Sequence, residues 1–171
     1  MTGAVTLLPF DAEWELQFER EAGQVRDAFG EALLAIHHIG STSVPGLLAK
    51  PLIDMLFVFR SAKAVQDRES ALATLGYERR GEYGIAGRRY FVKRSASGES
   101  THHLHGYQEV SPHITRHLAF RDLLRENPST AAQYAALKSK IAMGGAVTRH
   151  NYQCAKAEFI NRCESEPLRG R

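Results

Sequence analysis

Apolar and polar positions along the first third of the chain alternate with two clear periods. Trp14, Phe18, Ala22, Val25 and Phe29 recur at helical spacing, with Asp11 placed to cap the segment, Glu13 and Glu15 in its first turn and Gly30 at its end. Leu33 to Ile39 and Pro51 to Phe59 are short apolar runs rich in β-branched and aromatic residues and read as buried strands. Ser61 then caps a predicted helix carrying Val65, Leu72 and Leu75, stopped by Gly76. Strands are predicted at about 77–83, 88–94 and 101–107, separated by turns around Gly84 and Gly98, which makes this block a β-meander.

The last third changes period. Ser111-Pro112 and Asn127-Pro128 each set a capping residue before a proline at a first helical position, and Gly144-Gly145 separates the second helix from a third. The pattern therefore predicts an α+β fold: a mixed sheet with helices against one face, followed by a C-terminal layer of three helices. At 171 residues it fits a single domain over 1–166, with 167–171 expected as a disordered tail.

Composition narrows the class of function. No apolar run approaches the roughly 20 residues of a membrane helix, and the N-terminus has no export pattern, so the expected location is cytoplasmic. A net charge of +3 suits an anionic ligand but supplies no nucleic-acid footprint, because no lysine-rich tract or aromatic-basic stripe occurs. Cys154 and Cys163 sit nine positions apart on one predicted helix, too far for a disulfide, and read as free thiols.

The richest chemistry lies in His38-Ile39-Gly40-Ser41-Thr42-Ser43-Val44-Pro45-Gly46-Leu47-Leu48-Ala49-Lys50-Pro51-Leu52-Ile53-Asp54. A turn of small and hydroxyl residues leaves N–H groups to wrap an anion, and a carboxylate a dozen positions on can hold a cation against it. Gly40, Ser41, Thr42, Ser43 and Lys50 are thus candidate phosphate contacts, and Asp54 a candidate ion ligand and catalytic residue. The plainer reading of Asp54 is a strand-end carboxylate bonded to loop N–H groups. No G-x-S-x-G elbow surrounds the serines, and Lys50 lacks the flanking residues of a P-loop.

This string resembles the nucleotidyltransferase superfamily and, more narrowly, the GrpB family. Further similar segments are 88–93, 101–105, 117–125, 134–138 and 152–160, so the resemblance covers nearly the whole chain. It implies a nucleotidyltransferase-like mixed sheet, a nucleotide or other phosphorylated small molecule as ligand, a divalent metal (Mg²⁺, Mn²⁺ or Zn²⁺) and transfer of a nucleotidyl group. Active members of the superfamily carry a second acid two residues after the first, where this chain has Leu56. Two-metal catalysis needs carboxylates for both ions, so Leu56 favours a rival reading: a non-catalytic ligand-binding or folding-accessory domain, as GrpB-like domains fused to dephospho-CoA kinase resemble.

His103 and His105 are one residue apart in a predicted strand and share a face, a pattern able to bind Zn²⁺ or Mn²⁺ or to donate to phosphate. The alternative is a hydrogen-bonded core histidine. Arg121 falls within the apolar arc of Ile114, His117, Leu118 and Leu124, Lys138 within the stripe from Ala131 to Ala142, and Lys156 between Tyr152 and Phe159. With Arg89 and Lys93 on one face of a meander strand, they predict a positively lined cleft between sheet and helices. The ordinary alternative for each is an ion pair with Asp122, Glu109 or Glu158.

Overall fold

The computed structural model describes residues 6–143 and 149–165. The Gly144-Gly145 break and the 167–171 tail lie outside them. Helix α1 spans Glu13–Phe29 and buries the predicted stripe of Trp14, Phe18, Ala22, Val25 and Phe29. Asp11 accepts the Glu13 N–H at 2.9 Å, and Gly30 turns the chain away at a positive φ of 55°.

Five strands form one sheet in the order β1-β2-β5-β4-β3: β1 Leu33–Ile39, β2 Ile53–Phe59, β3 Tyr77–Gly81, β4 Arg89–Arg94 and β5 Ser100–Gln108. The meander β3-β4-β5 is antiparallel, as is β1 with β2, but β5 runs parallel to β2, so the sheet is mixed. The expected α+β class with a mixed sheet is found. Between β2 and β3 the predicted single helix is two short ones, α2 Ala62–Gln66 and α3 Glu69–Thr74, because the bond from Arg68 N–H tightens to the carbonyl three residues back. Ser61 caps the first, accepting from Ala64 N–H at 3.2 Å.

One face of the sheet carries Ile53, Met55, Phe57, Phe59, Phe91 and Leu104 against α1, and these form the main apolar core. Gly106 belongs to this face: a Cβ there would sit 2.1 Å from the Phe57 ring, so the ring occupies space that only glycine leaves. The opposite face carries Ile39, Leu56, Val58 and Tyr107 under α4, Pro112–Glu126. Helices α5, Pro128–Met143, and α6, Arg149–Ser165, complete the C-terminal layer. Ser111 caps α4 as expected, while the Asn127 side chain instead donates back to Leu123 O at the end of α4.

The 40–52 connection ties the layers together. Val44 and Leu47 bury themselves among Leu124, Tyr134 and Phe159 of the three C-terminal helices. The turn is therefore clamped between sheet and helical layer rather than left as a free surface loop.

Candidate functional site

Strand β2 delivers Asp54 to the α4 side of the sheet, beside His103 on the parallel neighbour β5. Asp54 Oδ1 lies 3.2 Å from His103 Nδ1 and 3.3 Å from His105 Nε2. Burial pushes the Asp54 pKa up, but the two imidazole hydrogen bonds and their charge outweigh it and hold the carboxyl well below the usual range. Burial conversely lowers the His105 pKa, against the pull of Asp54. His117 on α4 stands behind His105, ring centroids 6.0 Å apart, and burial with the neighbouring His105 pushes it down to about 4.

Gly40 explains why the turn begins where it does. Its φ is 72°, and a Cβ would meet Asp54 Oδ2 at 2.6 Å. Only glycine lets the turn cross directly over the carboxylate. Ser41 to Ser43 then wind into a single 3₁₀ turn. Among the described residues the Ser41 and Thr42 N–H groups donate to no acceptor, whereas Ser43 N–H returns to Gly40 O.

The hydroxyls divide. Thr42 Oγ1 donates to Leu52 O at 3.0 Å and also meets His38 Nε2, and Ser43 Oγ donates to Gly40 O at 2.6 Å. Both residues are buried, so their side chains brace the turn instead of offering themselves to a phosphate. Ser41 Oγ faces the helical layer, where Lys138 Nζ donates to it at 2.9 Å and also to Leu48 O. Lys50 is exposed.

The cations separate in the same way. Lys138 is 1% exposed, lies 4.9 Å from the Tyr134 ring centroid, and has its pKa pushed down to about 7 by burial and then by Lys156. Lys156 is itself lowered by burial while the Asp54 carboxylate pulls it back, which places it within electrostatic reach of the site. Lys138 and Ser41 thus meet, and Lys156 acts electrostatically on Lys138 and on Asp54. Arg121 does not join them freely: its Nε donates to Asp122 at 2.7 Å and its Nη1 to His38 O at 3.2 Å, the ion-pair alternative. Lys93 is a correction, since its Nζ binds Glu21 at 2.8 Å on the α1 side of the sheet. Arg89 shares that face by strand alternation, with Phe91 between them in the main core.

Two other cations, not singled out in the sequence, lie on the α4 side of the sheet. Arg88, one position before β4, has the opposite parity; it is buried and sits over the Tyr90 ring at 4.6 Å on the His105 side. Arg125 donates twice to Ser43 O, at 2.9 and 2.7 Å, and fixes the turn from α4. Alternation within Arg88-Arg89-Tyr90 held the first signal, but not which face was which. Cavities of about 480 and 610 Å³ open elsewhere, behind the turn beside Glu15 and Arg125 and on the outer side of α4.

Asp54, His103 and His105 offer three ligand atoms all within 4.8 Å of one another. Two imidazole nitrogens and one carboxylate suit Zn²⁺ or Mn²⁺ better than Mg²⁺, which prefers oxygen. The outer nitrogens, His103 Nε2 and His105 Nδ1, are buried without partners, consistent with ring protons held on the Asp54 side and lone pairs outward. An ion held by Asp54, His103 and His105 would need the inward lone pairs, with the ring protons on the outer nitrogens. Leu56, fully buried beside Ile39 and Val58, supplies nothing to a second ion. The residues thus fit one ion and do not fit two.

Comparison with known proteins places this arrangement in a family. The chain is 41% identical over 165 residues to UPF0157 protein YqkA of Bacillus subtilis, covering 96% of this chain and 48% of that protein, so it spans about half of YqkA. The crystal structure of GrpB from Enterococcus faecalis superimposes with a TM-score of 0.80 at 36% identity, over 93% of this chain and 99% of that one. A dephospho-CoA kinase of Mycolicibacterium paratuberculosis is 35% identical over 78 residues, 44% of this chain and 19% of the kinase. No helix among the described residues is long and apolar enough to cross a membrane. The GrpB protein model matches residues 4–166, and with this the chain belongs to the GrpB family.

Proposed function

We propose that the chain binds a phosphorylated small molecule, a nucleotide being the leading class, in the cleft between the Gly40–Ser41 turn and helices α5 and α6. One divalent transition-metal ion is held by Asp54, His103 and His105. The observation that carries this reading is Lys138: a buried lysine whose acceptors among the described residues are neutral oxygens and whose proton burial and the charge of Lys156 both disfavour. Like charges brought together under burial cost free energy unless an anion offsets them. An incoming phosphate does so, and it raises the Lys138 pKa as it binds. An ion held by Asp54, His103 and His105 would supply Lewis acidity, and Ser41, Lys138 and Lys156 orient the phosphate.

Nucleotidyl transfer by in-line attack would draw on Asp54 as its sole acid, and Leu56 argues for binding without transfer. The partial likeness to a dephospho-CoA kinase favours a second reading, an accessory domain acting beside an enzyme. Thermal melts test the ion first. Mn²⁺ or Zn²⁺ should raise Tm in the wild type, more than Mg²⁺ does, and not in Asp54→Ala, because binding to the folded state alone stabilises by about 2.7 kcal/mol at a hundred times Kd. An equal response in both proteins would remove the ion from the reading.

A further inference from the structure

Tyr83 is the one residue other than glycine with a positive φ among the described residues, at 44°. A bulky aromatic in this region is strained and persists only where its surroundings hold it. The same loop uses glycine for the other such positions, 81, 84 and 87.

The holder is Arg88. Its Nη2 donates to Tyr83 O at 2.7 Å and its Nε to Glu82 O at 3.1 Å. Gly87 N–H closes the loop on Glu82 Oε1 at 2.7 Å, and Ile85 anchors it against the α4 face of the sheet. The loop is braced by these bonds, yet Tyr83 is 61% exposed, with the Arg80 guanidinium carbon 5.9 Å from its ring centroid. The Tyr83 ring lies 5.6 Å from the Tyr90 ring, which stacks on His105 at 5.0 Å, and His105 bonds Asp54. A run of rings thus leads from solvent to the ion site. In the sheet order β5 alone separates β4, carrying Tyr90, from β2, carrying Asp54, about 10 Å at the usual strand spacing. One nucleotide spans that distance.

We infer that Tyr83 is a stacking platform for a planar ring of the ligand, whose phosphate end lies toward Lys138 and Lys156. This rests on the phosphate-cleft reading and narrows its ligand class to nucleotides or other phosphates that carry a planar heteroaromatic ring. Base–aromatic stacking tolerates any base, because every base has a π-face. The platform therefore adds affinity for the ring without choosing among bases.

The test is calorimetric titration of wild type, Tyr83→Phe, Tyr83→Gly and Tyr83→Asn with inorganic tripolyphosphate and with ATP, GTP, CTP and UTP, alongside melting of each free protein. At least one nucleoside triphosphate should bind wild type and Tyr83→Phe about tenfold or more tighter than tripolyphosphate. Tyr83→Gly and Tyr83→Asn, both at ease in this backbone region, should lose that gap, keep the tripolyphosphate affinity, and melt no lower than wild type as the strain is released. A wild type that binds all four nucleotides no tighter than tripolyphosphate, or a gap that survives in Tyr83→Gly and Tyr83→Asn, overturns the platform. Tripolyphosphate that fails to bind wild type overturns the cleft reading itself, and the platform with it.

Discussion

On the α1 face of the sheet Lys93 reaches Glu21 at 2.8 Å, two opposite charges meeting at the edge of an otherwise apolar core. Across the sheet, under the helical layer, Lys138 lies deeper and reaches neutral oxygens, with Lys156 adding a like charge. The first cation is complete within the fold. The second is stabilised locally by hydrogen bonds and a tyrosine ring, but its charge has no counterpart among the described residues. Both are lysines on inward stripes, so the difference lies in what each meets there: Lys93 has its anion in the chain, and on the proposed reading the anion for Lys138 comes with the ligand.

The largest expected effect lies in the apolar face itself. Phe57→Ala should cost about 3 to 5 kcal/mol in urea unfolding, since its fully buried ring fills the space over Gly106 as well as the core beneath α1. Tripolyphosphate affinity per folded molecule should be unchanged. A large loss of affinity in the folded fraction would show that the two faces are not separable.

Next in size is the lysine pair. Lys93→Met strands the buried Glu21 carboxylate and should destabilise the fold by about 1 to 3 kcal/mol with binding intact. Lys138→Met should do the reverse, weakening tripolyphosphate binding by about 1 to 3 kcal/mol while the free protein melts within a few degrees of wild type. If the two variants behave alike, the distinction between the faces fails.

The two lysines also differ in their pH dependence. The Lys138 pKa is about 7 when folded against 10.5 as the ordinary value, so between these limits the unfolded chain binds the extra proton. The penalty is therefore fully present below pH 7, and stability rises as pH goes from about 7 to 10.5. Lys138→Met should lack this rise. Phosphate affinity should fall over the same range, because the anion binds the protonated lysine. A wild-type stability profile with no difference from Lys138→Met above pH 7 would contradict the assignment. Smallest of all, Arg89→Ala should change neither stability by more than about 0.5 kcal/mol nor phosphate affinity, as its side belongs to the other face.

Much of this was legible along the chain. The helical stripe from Trp14 to Phe29, both early strands, the meander and the caps at Ser61 and Ser111 follow from local period and local hydrogen bonds. The shared face of His103 and His105, and of Arg89 and Lys93, follows from strand alternation. What alternation left open was which face each pair would occupy. Lys93 took the α1 side, and Arg88, one residue away in parity, took the side first expected of Arg89. Thr42 and Ser43 read as open donors in sequence, yet in the folded turn they bind Leu52 O and Gly40 O.

The sequence by itself determined where the elements lie, that a glycine-led turn precedes a single carboxylate, and that inward stripes of three C-terminal helices carry cations. These are properties of neighbours three or four residues apart, set by backbone sterics and side-chain period. The tertiary structure alone decided that β5 lies parallel beside β2, which sets His103 next to Asp54, and that α5 brings Lys138 against Ser41 nearly a hundred residues away. Ladder register and helix docking are settled by the packing of whole faces, and no local pattern encodes which buried charge will find its partner inside the chain.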